Sequence, residues 1–191
     1  MANLVNETIP VELKSAEKKE QSEILQKMLP LFLAFVVVLL DQISKMLVIE
    51  NIPVNSISGG YAFFGDFLRI IHVQNPGVAF SLGHTLSHSS RAVLFAAAPL
   101  LVIIWAMVVY FRNNTFTSLQ RWAICGIIGG GLGNLYDRFF RIDGVVDFID
   151  VKFYGLFGLE RWPTFNIADA SILICGFLLV ISFLASVKNE K

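Results

Sequence analysis

The sequence predicts a mainly α-helical membrane protein, with four transmembrane helices, a small β-sheet outside the membrane and an interfacial segment. Of its 191 residues, 55% are hydrophobic and only 16% are charged, which is too apolar for an ordinary water-soluble domain. Long apolar runs recur along the chain, and a helix needs about 20 apolar residues to cross a hydrocarbon core. Fifteen basic residues balance fifteen acidic ones, so no net charge indicates a nucleic-acid partner.

Four segments are predicted to span the membrane. They run approximately from Met28 to Ile49, Ala92 to Phe111, Trp122 to Tyr136 and Ile167 to Val187. The second and fourth are almost free of charge, whereas the first contains Asp41 and Lys45 and the third is short and rich in glycine. Residues 1–27 are polar and lack the pattern of a cleaved signal peptide. We therefore expect a mobile N-terminal tail followed by one membrane domain over residues 28–188.

Two segments between the spans are too polar to lie in lipid. In the first, at about residues 52–90, alternate residues from Phe67 to Val73 differ in polarity from their neighbours and Asn75-Pro76-Gly77 supplies a turn. This pattern predicts short strands and a hairpin. The second, at about residues 138–165, is mixed and aromatic, which favours an interfacial segment.

An even number of spans places both termini on one side of the membrane. Eight Lys and Arg residues lie on the terminal side and six on the other, so cytoplasmic termini are favoured by the positive-inside rule.

Two motifs inside the predicted spans favour structural roles. Asp41 and Lys45 are one helical turn apart, so they can neutralise each other as an ion pair. Adjacent helical residues do not face each other, which argues against a Ser44–Lys45 nucleophile. The stretch "GIIGGGLGNLYDR", Gly126 to Arg138, lacks the Lys-Ser or Lys-Thr of a phosphate loop. Its glycines, four residues apart, are typical of membrane helices that pack closely.

Other catalytic and metal sites find little support in the sequence. The three histidines, His72, His84 and His88, form no HExxH motif, and Ser81 has no His–Asp set to activate it. Cys125 and Cys175 lie inside apolar runs and are expected to be small buried hydrophobic residues. We expect no metal ion and no other cofactor.

Four aspartates cluster at one predicted membrane face: Asp137, Asp147, Asp150 and Asp169. Arg138 directly follows Asp137, which suggests that its positive charge neutralises the Asp137 carboxylate and that Asp137 has a structural role. Asp147 lies in "GVVDFID", where apolar neighbours are expected to raise its pKa by desolvation. Asp169 lies near the start of the last span, where Asn166 is a candidate N-cap. That pair could be a helix cap without any catalytic role. If Asp147 and Asp169 meet, however, they can share a proton and activate water as aspartic proteases do.

Five stretches of the chain resemble, in order, the motifs of the lipoprotein signal peptidase family, signal peptidase II. They are "DQISK" at Asp41, "NPGVAFS" at Asn75, "GNLYDR" at Gly133, "GVVDFID" at Gly144 and "FNIADASI" at Phe165. The family consists of bacterial membrane aspartyl proteases with four helices. They remove the signal peptide of prolipoproteins immediately before a cysteine that carries a diacylglyceryl group.

The resemblance implies specific roles for residues of this chain. Asp147 and Asp169 would be the catalytic dyad. Polar positions lining or supporting the site would be Asn75, Asn134, Arg138, Asn166, Asp41 and Lys45. The partners would be diacylglyceryl prolipoproteins and membrane lipids, and the chain would act as a monomer in the bacterial cytoplasmic (inner) membrane. Its active site and small sheet would lie at the extracytoplasmic face.

A non-enzymatic transporter or assembly scaffold is the alternative from another functional class. Its intramembrane charges would form a proton relay or structural pairs. A relay would distribute its acidic residues through the bilayer, whereas the acidic residues of this chain cluster at one predicted face.

Overall fold

The computed structural model of the chain describes residues 11–54, 60–76 and 88–189. Within these ranges lie five α-helices and three β-strands. In chain order they are α1 (Val11–Met28), α2 (Leu31–Asn51), β1 (Tyr61–Phe63), β2 (Leu68–Asn75), α3 (His88–Arg112), α4 (Ser118–Phe140), β3 (Val145–Val151) and α5 (Ile167–Asn189). The predicted combination of a mainly helical protein with a small sheet is confirmed.

Among the described residues, three helical segments are long and apolar enough to cross a membrane. They are Gln21–Asn51, Phe95–Arg112 and Ile167–Lys188, which correspond to the first, second and fourth predicted spans. The third predicted span falls on α4, which is less apolar because it carries Arg121, Asp137 and Arg138. α4 is the central helix of the bundle and packs against α5, α2 and α3.

Glycines allow α4 to approach its neighbours closely, as their spacing predicted. A Cβ atom added at Gly130 would lie 2.4 Å from the carbonyl oxygen of Ala168 in α5. One added at Gly129 would lie 2.8 Å from the Cα atom of Ala34 in α2. Larger side chains would push these helices apart, so the glycines set the distance between α4 and both partners.

The structure places a helix where the sequence predicted a mobile tail. α1 covers Val11–Met28 and is rich in Glu, Lys, Gln and Leu, which have high helix propensity. Its last turn is tied to the end of α3, because the hydroxyl of Tyr110 donates to the carbonyl of Lys27 at 2.6 Å. The ammonium of Lys27 in turn donates to Asn114 Oδ1 at 2.6 Å.

The three strands form one antiparallel sheet in the order β1-β2-β3. β1 and β2 are joined by the turn at 64–67, whereas the hairpin expected after Asn75 falls mostly outside the described residues. β3 comes from the segment predicted to be interfacial. Five of its seven residues are buried, so it lacks the alternation of polar and apolar residues that reveals a half-exposed strand.

A small apolar cluster fixes the sheet to the bundle. Val146 and Phe148 of β3 pack with Val48 and Ile52 at the end of α2. The middle of β3 therefore lies beside the end of α2.

Candidate active site

Asp147 lies in the middle of β3, opposite Val73 of β2, and only 3% of its surface is exposed. Two asparagine side chains donate to its carboxylate. Nδ2 of Asn166 lies 2.7 Å from Oδ1, and Nδ2 of Asn75 lies 3.0 Å from Oδ2. Desolvation by burial raises the pKa of Asp147 to about 6, helped by the negative charge of Asp169 and opposed by the hydrogen bonds from the two asparagines.

Asp169 and Asn166 cap the N-terminus of α5. Oδ1 of Asn166 accepts from the backbone N–H of Asp169 at 2.9 Å, and Asp169 Oδ2 accepts from the backbone N–H of Asn166 at 3.2 Å. The predicted N-cap is confirmed, and it is reciprocal. The other oxygen of Asp169 accepts from Asn134 Nδ2 at 2.7 Å. Asp169 is thus held by the helix start on one side and by α4 on the other.

The long segment between the two aspartates folds back on itself. It contains a short 3₁₀ helix, Leu156–Gly158, and returns so that Phe165 pairs with Ile149 of β3. The two backbone hydrogen bonds of this pair measure 2.8 and 3.0 Å. Because Asn166 follows Phe165 directly, the start of α5 lies beside β3. The segment between the two aspartates therefore forms a loop whose ends lie side by side. Asn166, at one of these ends, contacts both aspartates.

A buried ionic network lies behind the two carboxylates. The ammonium of Lys45 is 2.7 Å from Asp41 Oδ2 and 2.7 Å from Asp137 Oδ2, and all three side chains are fully buried. The predicted Asp41–Lys45 ion pair is confirmed. Asp137 also contacts the sheet, because its carboxylate accepts from the backbone N–H of Val146 in β3 at 3.3 Å. The network thereby links α2, α4 and the residue before Asp147.

The negative charge of Asp137 is neutralised by cations other than the expected Arg138. The sequence suggested its neighbour Arg138, but the ion pairs of Asp137 are with Lys45 and Arg141. Successive residues on a helix point in different directions, so Arg138 leaves this network. Its positive charge interacts most with Asp169 and then with Asp147. Its Nε is buried and has no hydrogen-bond partner among the described residues.

Asp150 has a different set of contacts from Asp147 and Asp169. Both of its carboxylate oxygens accept from Nε of Arg161, at 2.7 and 2.8 Å. Arg161 also donates to the backbone oxygen of Asp66 in the β1–β2 turn. Asp66 forms a further ion pair with Arg69, and the neighbouring cations lower its pKa. These residues hold the returning loop against the sheet.

Sequence reasoning missed Gln42, Arg141 and Arg161. Arg141 follows Asp137 by one helical turn, a spacing that could have identified this pair. Gln42 of α2 donates to Asp137 Oδ1 of α4 at 3.1 Å, and Arg161 pairs with Asp150 across the returning loop. Neither contact follows from helix or strand spacing.

Other expectations concern residues that the structure describes only in part. His84, Ser81 and the side chain of His88 lie outside the described residues. Within the described residues, no group of His, Cys, Asp or Glu is arranged to hold a metal ion. Cys125 is buried as expected, Cys175 is half-buried, and both are free thiols.

An apolar groove of about 470 Å³ opens next to Asp169. Trp162 and Phe165 of the returning loop form one side, and the first turns of α5 form the other. A carboxylate at the end of such a groove can meet a substrate that is largely apolar.

Comparison with known proteins identifies the family. A family profile described as signal peptidase (SPase) II matches residues 33–185. The lipoprotein signal peptidase of Treponema pallidum (strain Nichols) is 53% identical over 166 residues, which cover 87% of this chain and 87% of that protein. The chain belongs to the signal peptidase II family. This membership makes it a membrane peptidase and excludes the alternative of a non-enzymatic transporter or scaffold.

Further relatives and solved structures agree with this assignment. The lipoprotein signal peptidase of Treponema denticola is 45% identical over 164 residues, covering 85% of this chain and 93% of that protein. Two solved structures, both described as bacterial membrane enzymes, are 28% identical to this chain, with TM-scores of 0.69 and 0.71. They cover 81% and 85% of this chain and 92% and 91% of their own lengths.

Proposed function

We propose that this chain cleaves the signal peptide of diacylglyceryl-modified prolipoproteins immediately before the lipidated cysteine, with Asp147 and Asp169 activating the water. The observation that carries the proposal is the position of Asn166. Its side chain donates to Asp147 at 2.7 Å while its backbone N–H donates to Asp169 at 3.2 Å. The two carboxylates, one on β3 and one on α5, are thereby held by the same residue, one through its side chain and the other through its backbone.

The environments of the two carboxyls suit the sharing of one proton. Burial raises the pKa of Asp147 to about 6, which favours the proton on this residue. Asp169 accepts hydrogen bonds from Asn134 and from the backbone N–H of Asn166 at the start of α5. In the proposed reaction the two carboxyls hold one proton between them.

Hydrolysis then proceeds without a covalent intermediate. Asp169 accepts a proton from water as the water oxygen attacks the scissile carbonyl carbon, while Asp147 donates its proton to the carbonyl oxygen. In the second step Asp147 recovers a proton from that hydroxyl as the carbonyl re-forms. Asp169 gives its proton to the departing amine, the C–N bond breaks, and the pair returns to its starting state.

Arg138 is the group best placed to bind the substrate backbone. Its charge interacts with both carboxylates, and its buried Nε lacks a partner among the described residues. Because Nε has no exposed surface in this conformation, a substrate carbonyl reaches it when neighbouring groups move aside. The new hydrogen bond would then remove the cost of a buried, unpaired donor. Asn75 and Asn134 instead donate to the carboxylates and hold the dyad in place.

We further propose that α4 also crosses the membrane, as the third predicted span, since it packs between the three apolar helices. Large apolar side chains on the other helices are exposed, such as Phe35, Trp105 and Phe177, which suits contact with acyl chains. The end of α2, the start of α5 and the sheet meet at the candidate site. With four spans and cytoplasmic termini, this end lies at the extracytoplasmic face. We expect the enzyme to act as a monomer.

The lipid on the substrate supplies the test. Two acyl chains can remain in the bilayer beside the helices, where each buried methylene contributes about 0.8 kcal/mol. Purified enzyme should cleave a diacylglyceryl-modified prolipoprotein much faster than its unmodified precursor, and mass spectrometry should place the new N-terminus at the lipidated cysteine. Equal rates on the two precursors, or cleavage at another bond, would contradict the proposed specificity.

A further inference from the structure

Lys45 is fully buried, and each N–H of its ammonium has an acceptor. Two of the acceptors are carboxylates, Asp41 Oδ2 and Asp137 Oδ2, each at 2.7 Å. The third is neutral: Nζ lies 3.0 Å from Asn134 Oδ1. A buried ammonium needs an acceptor for each N–H, and here the third acceptor is an asparagine that also contacts Asp169.

Lys45 is one of the groups that fix which way the Asn134 amide faces, and it is the only charged donor among them. Oδ1 of Asn134 accepts from Lys45 and also from Asn166 Nδ2, at 3.0 Å in both cases. If the amide turned over, its NH₂ group would face an ammonium and another NH₂ group. Because neither can accept a hydrogen bond, the amide is held in one orientation. In that orientation Nδ2 donates to Asp169 Oδ1 at 2.7 Å.

We propose that Lys45 is a positioning residue: it holds the Asn134 amide so that an N–H, and not a carbonyl oxygen, faces Asp169. The inference rests on the proposed role of Asp169 in the dyad. A reversed amide would place its carbonyl oxygen against the ionised carboxylate. Asp169 would then lose a hydrogen-bond donor and face a repulsive oxygen, so its carboxylate would no longer be held in the position that the proposed reaction requires.

The other charges around Asp169 come from three elements. Asp147 approaches from β3 and Arg138 from α4, while Lys45 acts from α2 both through Asn134 and through the direct effect of its charge on Asp147. Asp41 also touches the start of α5, because its Oδ1 accepts from the backbone N–H of Ala168 at 3.0 Å. A test of Lys45 must therefore leave this contact and the charge balance intact.

The double variant Asp41→Asn/Lys45→Met meets both requirements. It removes one negative and one positive charge together and leaves Asp137 paired with Arg141 at 2.9 Å. The new amide at position 41 can still accept from Ala168. Lys45→Met alone would leave an uncompensated buried carboxylate, and such a change is strongly destabilising. There are two references: Asp41→Asn retains the Lys45–Asn134 contact, and the wild type has the same sum of charges as the double variant. The shift of the acidic limb of the pH profile should appear against both.

The measurement is the pH dependence of kcat and KM for a lipid-modified prolipoprotein, alongside the melting temperature of each purified variant. Relative to Asp41→Asn, the double variant should melt similarly and keep its KM. Its kcat should fall by about 100-fold, as expected when a reacting group is misplaced by about 1 Å. The acidic limb of its profile should move up by about one pH unit, the order expected for loss of one hydrogen bond to a charged group.

Three results would overturn the proposal. They are an acidic limb at the same pH in both variants, a loss of kcat that parallels a loss of melting temperature, and failure of the double variant to fold. Each would assign Lys45 a structural role alone. An inactive wild-type enzyme in the same assay would instead count against the proposed function, so the two failures are distinguishable.

Discussion

Replacing Gly130 with alanine would place a methyl group where the backbone of α5 already lies. The added Cβ atom would be 2.4 Å from the carbonyl oxygen of Ala168 and 2.8 Å from Cγ1 of Ile172. Ordinary contacts of this kind begin at about 3.4 Å, so α4 and α5 would have to separate by about 1 Å. A backbone oxygen cannot rotate away as a side chain does.

The energetic cost follows from two opposing effects. Overpacking of this kind costs about 1–3 kcal/mol, and a clash with backbone belongs in the upper part of this range. Alanine has a higher helix propensity than glycine, which returns up to about 1 kcal/mol. We expect a net destabilisation of about 2 kcal/mol, or a melting temperature lower by about 4–8 °C for a chain of this size.

The effect on activity should be larger than the effect on stability. Ala168 immediately precedes Asp169. Asn134 of α4 donates to Asp169 of α5 at 2.7 Å, so this hydrogen bond also depends on the distance between the two helices. A displacement of about 1 Å at a reacting group can lower the rate about 100-fold. Gly176→Ala is the matched control, because a Cβ atom at Gly176 in α5 would meet nothing within 4 Å.

Both variants would be purified in detergent, melted, and assayed on a lipid-modified prolipoprotein. Gly176→Ala should match the wild type in rate and melt up to about 2–4 °C higher, because it gains helix propensity without a clash. Gly130→Ala should lose both rate and stability. If the two variants were indistinguishable, the close packing of α4 on α5 would not position the dyad.

Two further predictions concern charged residues near the sheet. Because burial raises the pKa of Asp147 to about 6 from 3.8, the folded state binds a proton more tightly than the unfolded state, so stability should fall as pH rises from about 4 to about 6. In Asp147→Asn the melting temperature should change less with pH over this range. If it changes as much as in the wild type, other groups cause the pH dependence. Arg161→Gln should lower the melting temperature by leaving the buried Asp150 carboxylate without its cation. Adding Asp150→Asn should restore part of that loss, and no recovery would contradict the assigned pairing.

Local signals predicted the parts of the site that depend on neighbouring residues. The N-cap at Asn166 follows from its spacing to Asp169, and the Asp41–Lys45 pair follows from one helical turn. The close approach of α4 follows from glycines four residues apart. Each of these features is present in the structure.

Features that depend on contacts distant in sequence were not predicted. β3 was missed because burial on both faces removes alternation, so its residues do not show the period of a strand. The pairing of Asp137 with Lys45 joins α2 to α4, and only the packed bundle brings these residues together. α1 was missed because its polar composition also suits a disordered segment, and its contact with Tyr110 of α3 is not visible in the sequence.

The most direct test of the dyad compares three aspartates in a single cleavage assay. Asp147→Asn and Asp169→Asn each preserve side-chain size but remove one half of the proton exchange. Asp150→Asn is the control, since Asp150 lies on the same strand as Asp147 and is also buried, but is paired with Arg161. We predict that the first two variants remain folded and lose cleavage of a lipid-modified prolipoprotein, while Asp150→Asn continues to cleave it. Near-wild-type turnover in folded Asp147→Asn or Asp169→Asn would contradict the assignment of that residue to the dyad.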